Sequence, residues 1–595
     1  MGKQADQQEE RTHLRELAYK YVPILDWLPK YQRKWLRPDA ITAIVIWAVL
    51  VPQAIAYASL AGVPPQAGLY AAAAGLLFYA IFGISRQVTV GPGSTIAVMV
   101  AATIAPLAAT TGDYVTLAAA LAILVGAIMV GAGVARLAFV ADFFAKPILV
   151  GFVAGLALII AISQAPKLFG VEGGGDNFFE SLWNLIKDLP DTNVQTLAIS
   201  AICILMLVGL KRLAPVAPAA LITVVVSIAL VSLLNLEDEG VAVVGEIPTG
   251  LPTPDLPRVG LGDLWHLLPG AAGIAIVAFA ESNATASSLA AKHKEKVDPN
   301  QDLIAIGSAN LGAGLFQGFA VDASLSRSAT ADEAGVKTQV SNLITLVLVL
   351  ITMVALAPLF RNLPDAALAA IIISSVVGLV DTRELRRLYG LDKLDFGLAL
   401  VGLLGVLVFG ILEGLGLAIV AALIALVRRG YRPNTAVLGR VTGEEDEDFG
   451  FRDLERFPEA ETIPGLQIFR FQTELFFANA NYFRDQIRGI IEETDPPPRA
   501  VLVDAAAISH IDTTGTDMLL ELVSELSESG IELLLARVTG PTRDILRRSG
   551  LVDALGSGSI YQTVGAAVSS YLARRAGADK STDQPIDQQI EDSDT

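Results

Sequence analysis

The chain has 595 residues, 53% hydrophobic and only 17% charged, with a mean hydropathy of +0.54. That is too apolar for an ordinary soluble protein and assigns most of the chain to lipid. The net charge of −18 excludes a generally basic nucleic-acid binder, and one cysteine (Cys203) with four scattered histidines gives no reason to expect a disulfide framework or a metal centre.

Residues 1–38 are expected to form a cytoplasmic N-terminal segment, of which Met1 to Lys20 is polar and mixed in charge and lacks the apolar stretch and cleavage site of a secretory signal, so the first membrane helix is expected to direct insertion. From residue 39 onward apolar segments follow one another, most of them near the ~20 residues that cross ~30 Å of hydrocarbon. They fall near 39–58, 66–83, 94–109, 114–135, 147–168, 194–210, 217–235, 268–290, 302–317, 326–336, 338–360, 365–380, 394–411 and 412–430, and are numbered 1 to 14 in that order. Arg33, Lys34 and Arg37 precede the first, and Arg428, Arg429 and Arg432 flank the end of the last, so the positive-inside rule puts both flanks in the cytoplasm. An even number of spans agrees with that.

A Pro/Gly-rich connector over 236–267 divides the membrane part into two halves of seven segments, 39–235 and 268–430. Each half has a break at a corresponding place, Gly91-Pro92-Gly93-Ser94-Thr95 in the first and Ser324-Leu325-Ser326-Arg327-Ser328 in the second. Interrupted spans at matching positions point to a transport site at a repeat interface, and an odd number of spans per half makes the repeats inverted. Residues 431–460 read as an acidic linker containing a Glu/Asp run at 444–448, 461–575 as a small α/β domain, and 576–595 as a polar tail expected to be disordered. The domain is expected to have strands at 465–471, 499–505 and 531–537 and helices at 514–529 and 540–550. From Tyr431 onward there are 29 acidic and 15 basic residues, leaving 32 and 28 for the rest of the chain, so the acidity belongs mostly to the C-terminal part.

Helices that start inside the membrane at Gly93/Ser94 and Ser326 would direct unpaired N–H groups and positive dipole ends at a common point, which suits an anion. Ser94, Thr95, Ser324, Ser326 and Ser328 add hydroxyls, and Arg327 adds the only positive charge in either break. Ordinary helix caps and close helix packing would also explain the serines and glycines. An arginine at membrane depth is functional or paired, and Asp322, Asp332 and Glu333 are candidate partners. Glu281, in the middle of segment 8, suits a proton carrier or a hydrogen-bonded helix tie. Gln53 and Tyr57 share a face of segment 1 just after Pro52, where they line a cavity or pack a kink.

The stretches PQAIAYASLAGVPPQAGLYAA (52–72), FGISRQVTVGPGSTIAV (82–98), NQDLIAIGSANLGAGLFQGF (300–319) and SLSRSATADEAGVKTQV (324–340) resemble, in order and spacing, the SulP anion-transporter family, which includes sulfate permeases, bicarbonate carriers, pendrin and prestin. The resemblance implies an α-helical polytopic membrane protein of fourteen segments in a 7+7 inverted repeat. Segments 1–4 and 8–11 would form a mobile core and 5–7 and 12–14 a gate, with the anion between the facing ends of segments 3 and 10 and the core moving as an elevator. Gln53, Tyr57, Gly93, Ser94, Thr95, Ser326 and Arg327 match the family's cavity positions. Gly93 stands where animal members often carry an aromatic, a change expected to widen the cavity.

The C-terminal domain resembles the STAS domain shared with bacterial anti-sigma-factor antagonists. Asp504 and Asp512-Thr513-Thr514-Gly515 match the antagonist motif, which makes Thr514 a possible regulatory phosphosite. The resemblance implies a transporter, not an enzyme, in the plasma membrane with both termini cytoplasmic. Its expected partners are a small inorganic anion, sulfate foremost, a coupling proton or sodium ion, the lipid bilayer and a second copy in a homodimer, with no cofactor, metal or nucleic acid. Sodium-coupled bicarbonate uptake and proton-coupled dicarboxylate uptake are alternatives within transport, and a membrane-tethered STAS regulator is the alternative of another class.

Overall fold

The computed structural model describes residues 21–108, 111–139, 146–175, 177–214, 218–441, 450–556 and 558–576. Most of the N-terminal segment, the acidic run at 444–448 and nearly all of the tail at 576–595 therefore lie outside the described residues. The chain forms two compact units, Met1–Ala422 and Leu423–Thr595.

In the first unit every expected segment coincides with a helix, and nine helices among the described residues are long and apolar enough to cross a membrane. Segment 1 is Leu36–Ala61, segment 2 Pro65–Phe82, segment 4 Thr111–Val134, segment 5 Lys146–Phe169, segment 9 Pro299–Leu315 and segment 13 Lys393–Phe409. The two interrupted segments, 3 (Ser94–Ile104) and 10 (Leu325–Glu333), are short. Small residues let these helices approach closely. A Cβ on Gly307 of segment 9 would come within 2.8 Å of the Val130 backbone nitrogen and 2.9 Å of the Gly126 carbonyl oxygen on segment 4.

Three expectations need correction in this unit. Segment 8 is longer than expected, running Leu261–His293, so the connector ends at Gly260 rather than 267. Segment 11 does not stay α-helical to 360: it is regular over Val340–Ile351, widens into a π turn at Thr352–Leu356 and tightens into a 3-10 turn at Ala357–Phe360, around Pro358. Two amphipathic helices, Phe178–Asp188 and Thr382–Leu391, were not expected; each follows an apolar segment, 5 and 12, and is capped by the side chain of Asn177 or Asp381.

The second unit is a six-stranded sheet. Its strands are β3 (Thr435–Arg440), β4 (Phe451–Asp453), β5 (Leu466–Phe471), β6 (Ala500–Asp504), β7 (Glu532–Ala536) and β8 (Ile560–Tyr561), in the spatial order β4-β3-β5-β6-β7-β8. β5 to β8 are parallel, and β3 and β4 add an antiparallel edge. Alternating residues divide between two faces. Phe469, Phe471, Val501 and Val503 pack with Phe483, Leu519, Leu522 and Leu546, while Ile468, Leu502 and Leu534 pack with Val564, Val568 and Tyr571. The expected linker over 431–460 thus contributes two strands, which its acidity conceals.

Candidate anion-binding site

Two two-residue strands bring the membrane breaks together. β1 (Val90–Gly91) pairs antiparallel with β2 (Asp322–Ala323), with Val90 opposite Ala323 and Gly91 opposite Asp322. Each runs almost directly into a helix, β1 into segment 3 and β2 into segment 10. The N-terminal N–H groups of both helices therefore lie beside the ladder.

The surrounding helices hold the ladder in place. Ser282 Oγ on segment 8 accepts from the Ala323 N–H at 3.0 Å. Asn310 on segment 9 clamps Val321, accepting from its N–H and donating to its carbonyl, both at 2.9 Å. On the other side, a Cβ on Gly75 would come within 2.9 Å of the Val90 carbonyl oxygen, so that glycine lets segment 2 lie against β1.

Arg327 is fully buried behind the two helix ends. Its Nη1 donates to the Pro92 carbonyl at 2.7 Å and to Gln53 Oε1 at 3.3 Å. Its Nε and Nη2 have no hydrogen-bond partner, and among the described residues no carboxylate forms an ion pair with it. Of its candidate partners, Asp332 pairs instead with Lys292 and His293, both at 2.6 Å. A buried guanidinium with two idle donors next to two helix N-termini is an arrangement for negative charge.

A sequence model of the sulfate permease family matches residues 36–402, and one of the STAS domain matches 457–567. The chain belongs to the sulfate permease family. It is 39% identical over 548 residues to a Mycobacterium tuberculosis protein described as "Probable sulfate transporter", covering 92% of this chain and 97% of that one. It is 30% identical over 604 residues to high affinity sulfate transporter 2 of Stylosanthes hamata, covering 97% and 90%. Among solved structures it shares its fold with murine solute carrier 26 family member A9, an anion transporter in the inward-facing state, with a TM-score of 0.85, 24% identity and coverage of 94% and 95%. The transmembrane domain of the cyanobacterial bicarbonate transporter BicA also matches, with a TM-score of 0.56, 21% identity and coverage of 66% and 98%.

In this sulfate permease relative the expected site residues fall into three groups. Gln53, Tyr57, Thr95 and Arg327 are buried together, with Tyr57 close to Ser94 and Ser375. Ser94 and Ser324 are half-buried and Ser326 is exposed. Ser324 also caps segment 10, accepting from the Arg327 N–H at 3.4 Å. Ser328 is buried and accepts from the Thr89 N–H at 3.0 Å, so it fastens the approach to the ladder.

Gly93 does not widen the cavity as expected. A methyl group there would overlap the Asp322 carboxyl, which already fills the space. Glu281 on segment 8 lies close to Asp322 and Thr95. Asp322 entered the sequence reading only as a possible partner for Arg327; its signal was an acid two residues before the second break. In the STAS domain, Thr514 is exposed in the first turn of helix Thr513–Glu528, whose N-cap Asp512 accepts from the Gly515 N–H at 2.7 Å.

Proposed function

We propose that the protein is a secondary active transporter that carries sulfate into the cell across the plasma membrane together with protons. In this reading the anion sits between the N-termini of segments 3 and 10. Backbone N–H groups and the hydroxyls of Ser94, Thr95, Ser324 and Ser326 hold it, with Gly93 at the start of segment 3 making room for the Asp322 carboxyl, Gln53 and Tyr57 as the wall and Arg327 as the positive charge behind it. The observation that carries this reading is the antiparallel β1–β2 ladder, which sets two helix starts beside a buried arginine with two unpartnered nitrogens.

Glu281 serves as the proton carrier. The two halves act as inverted repeats of seven segments, with segments 1–4 and 8–11 moving as an elevator against 5–7 and 12–14. The protein works as a homodimer with both termini cytoplasmic, and Thr514 is a regulatory phosphosite of the STAS domain.

Sulfate comes first because the relatives named above are described as sulfate transporters. Helix ends select charge sign better than chemical identity, so the test is a panel of labelled anions taken up by proteoliposomes, with and without proton and sodium gradients. Saturable sulfate uptake driven by a proton gradient supports the reading. A sodium requirement with bicarbonate as cargo, or competition by succinate, would replace it with one of the transport alternatives. No uptake of any anion would favour the regulatory one.

A further inference from the structure

We propose that Asp322 and Glu281 together form one proton-binding unit, and that the proton they share admits a divalent anion next to Arg327. This rests on the proton-coupled reading above and adds to it a second acid, contributed by the strand that builds the site. Asp322 is paired through its backbone with Gly91 at the start of the first break and buried among the helix ends. Its carboxyl fills the space beside the Gly93 Cα that a side chain would otherwise take, which only glycine permits. Among the described residues, its Oδ1 receives no hydrogen bond from any N–H or hydroxyl. Ser282, next to Glu281 on segment 8, accepts from the N–H of Ala323, next to Asp322, at 3.0 Å, and the acid nearest Asp322 is Glu281.

Two carboxyls this close and this deeply buried bind a proton between them. The titratable groups facing the pair are Arg327 from segment 10 and Tyr57 from segment 1; Thr95 from segment 3 is neutral. Without the shared proton, two negative charges beside one arginine leave the site net negative and repel a dianion. With it, one negative charge balances Arg327 and the two helix ends remain positive. Proton and anion then favour each other's binding, and by linkage the coupling runs in both directions. Proton movement is simple here: one proton bonds to the carboxyl pair as the anion binds and leaves the pair when the anion is released.

The test is equilibrium binding of labelled sulfate to the purified full-length protein in nanodiscs across a pH series, read as the slope of log Kd against pH rather than as affinity. One linked proton predicts that affinity falls roughly tenfold per pH unit on the alkaline side in the natural protein. Asp322→Asn and Glu281→Gln should each flatten that slope, and the double variant should flatten it no further than either single one, since the two acids hold one proton. A merely structural Asp322 would shift affinity and leave the slope intact. If D322N does not fold, Gly93→Ala keeps both acids and pushes them apart, and it too should lose the slope. A full natural slope in D322N or in Gly93→Ala, with the slope lost in E281Q, overturns the shared unit and leaves the proton-coupled reading standing. Absence of any slope in the natural protein overturns both.

Discussion

Arg327 and the serines around it show how single side chains divide the work of binding from that of holding the fold. Arg327 keeps two guanidinium nitrogens without partners and is fully buried, so removing its charge should weaken sulfate binding more than it loosens the ladder. Hydrogen bonds to charged groups contribute about 1.5–3 kcal/mol each, so Arg327→Gln should weaken binding roughly ten- to hundredfold. Arg327→Lys, which keeps the charge and loses the fork, should fall between. Ser326 and Ser328 make a sharper pair. Ser326 is exposed at the helix start, while Ser328 satisfies the buried Thr89 N–H. Ser326→Ala should therefore raise the KM for sulfate with little change in Tm. Ser328→Ala should lower stability by about 1–3 kcal/mol, because it strands a buried donor. Equal effects of the two on Tm would contradict this division.

At the scale of elements, the membrane unit is held by close helix packing and the soluble unit by a charged clamp at its strand ends. Gly307 meets segment 4 at backbone distance, whereas nothing lies within 4 Å of a Cβ on Gly416. Gly307→Ala should cost about 1–3 kcal/mol of stability as overpacking, and Gly416→Ala should cost none; thermal unfolding in detergent distinguishes them. In the sheet, Arg470 Nε donates to Asp504 at 2.6 Å, and Arg537 donates through Nε at 2.8 Å and through Nη2 at 2.6 Å. Burial alone would raise the Asp504 carboxyl, but the hydrogen bonds and charges of Arg537 and Arg470 hold it below the usual carboxylate range. Its stabilisation is therefore complete above the unfolded value near pH ~4 and is lost as pH falls through the lower folded value. Hydrogen exchange in the intact protein should show β5 to β7 opening more readily below that pH. D504N should remove this dependence and loosen the strands by about 2–3 kcal/mol at neutral pH, the low side for a broken buried pair because the arginine side chains stay 29% and 31% exposed. Natural-level protection in D504N would contradict the clamp. Long apolar helices were legible in the sequence because each carries its own burial signal. The helices Phe178–Asp188 and Thr382–Leu391 were not, being short and polar on one face. β1 and β2 are too short for alternation to register, and β3 gains its identity only by pairing with β5 far along the chain. Asp322 was overlooked as a site residue for the same reason: its neighbours Gly93 and Glu281 come from other segments.

For the whole molecule, the uneven charge and the division into two units separate transport from its accessory domain. From Tyr431 onward the chain holds 29 acidic against 15 basic residues, while the residues proposed to hold the anion lie between Gln53 and Arg327. Deleting residues 433–595 removes the sheet whole, whereas a cut at 440 would leave β3 without partners. The shortened protein should still bind sulfate; loss of binding would shift weight to the reading in which the STAS domain is the output. If a proton drives a dianion through a site made of two helix ends and one arginine, sulfate uptake into proteoliposomes at fixed membrane potential, without sodium and with an inward proton gradient, reads it out. Uptake should be saturable, rise several-fold with the gradient, collapse when a protonophore dissipates it, and lose its response to the gradient in Glu281→Gln. Uptake that ignores the proton gradient, or that persists unchanged in Glu281→Gln, would contradict the account.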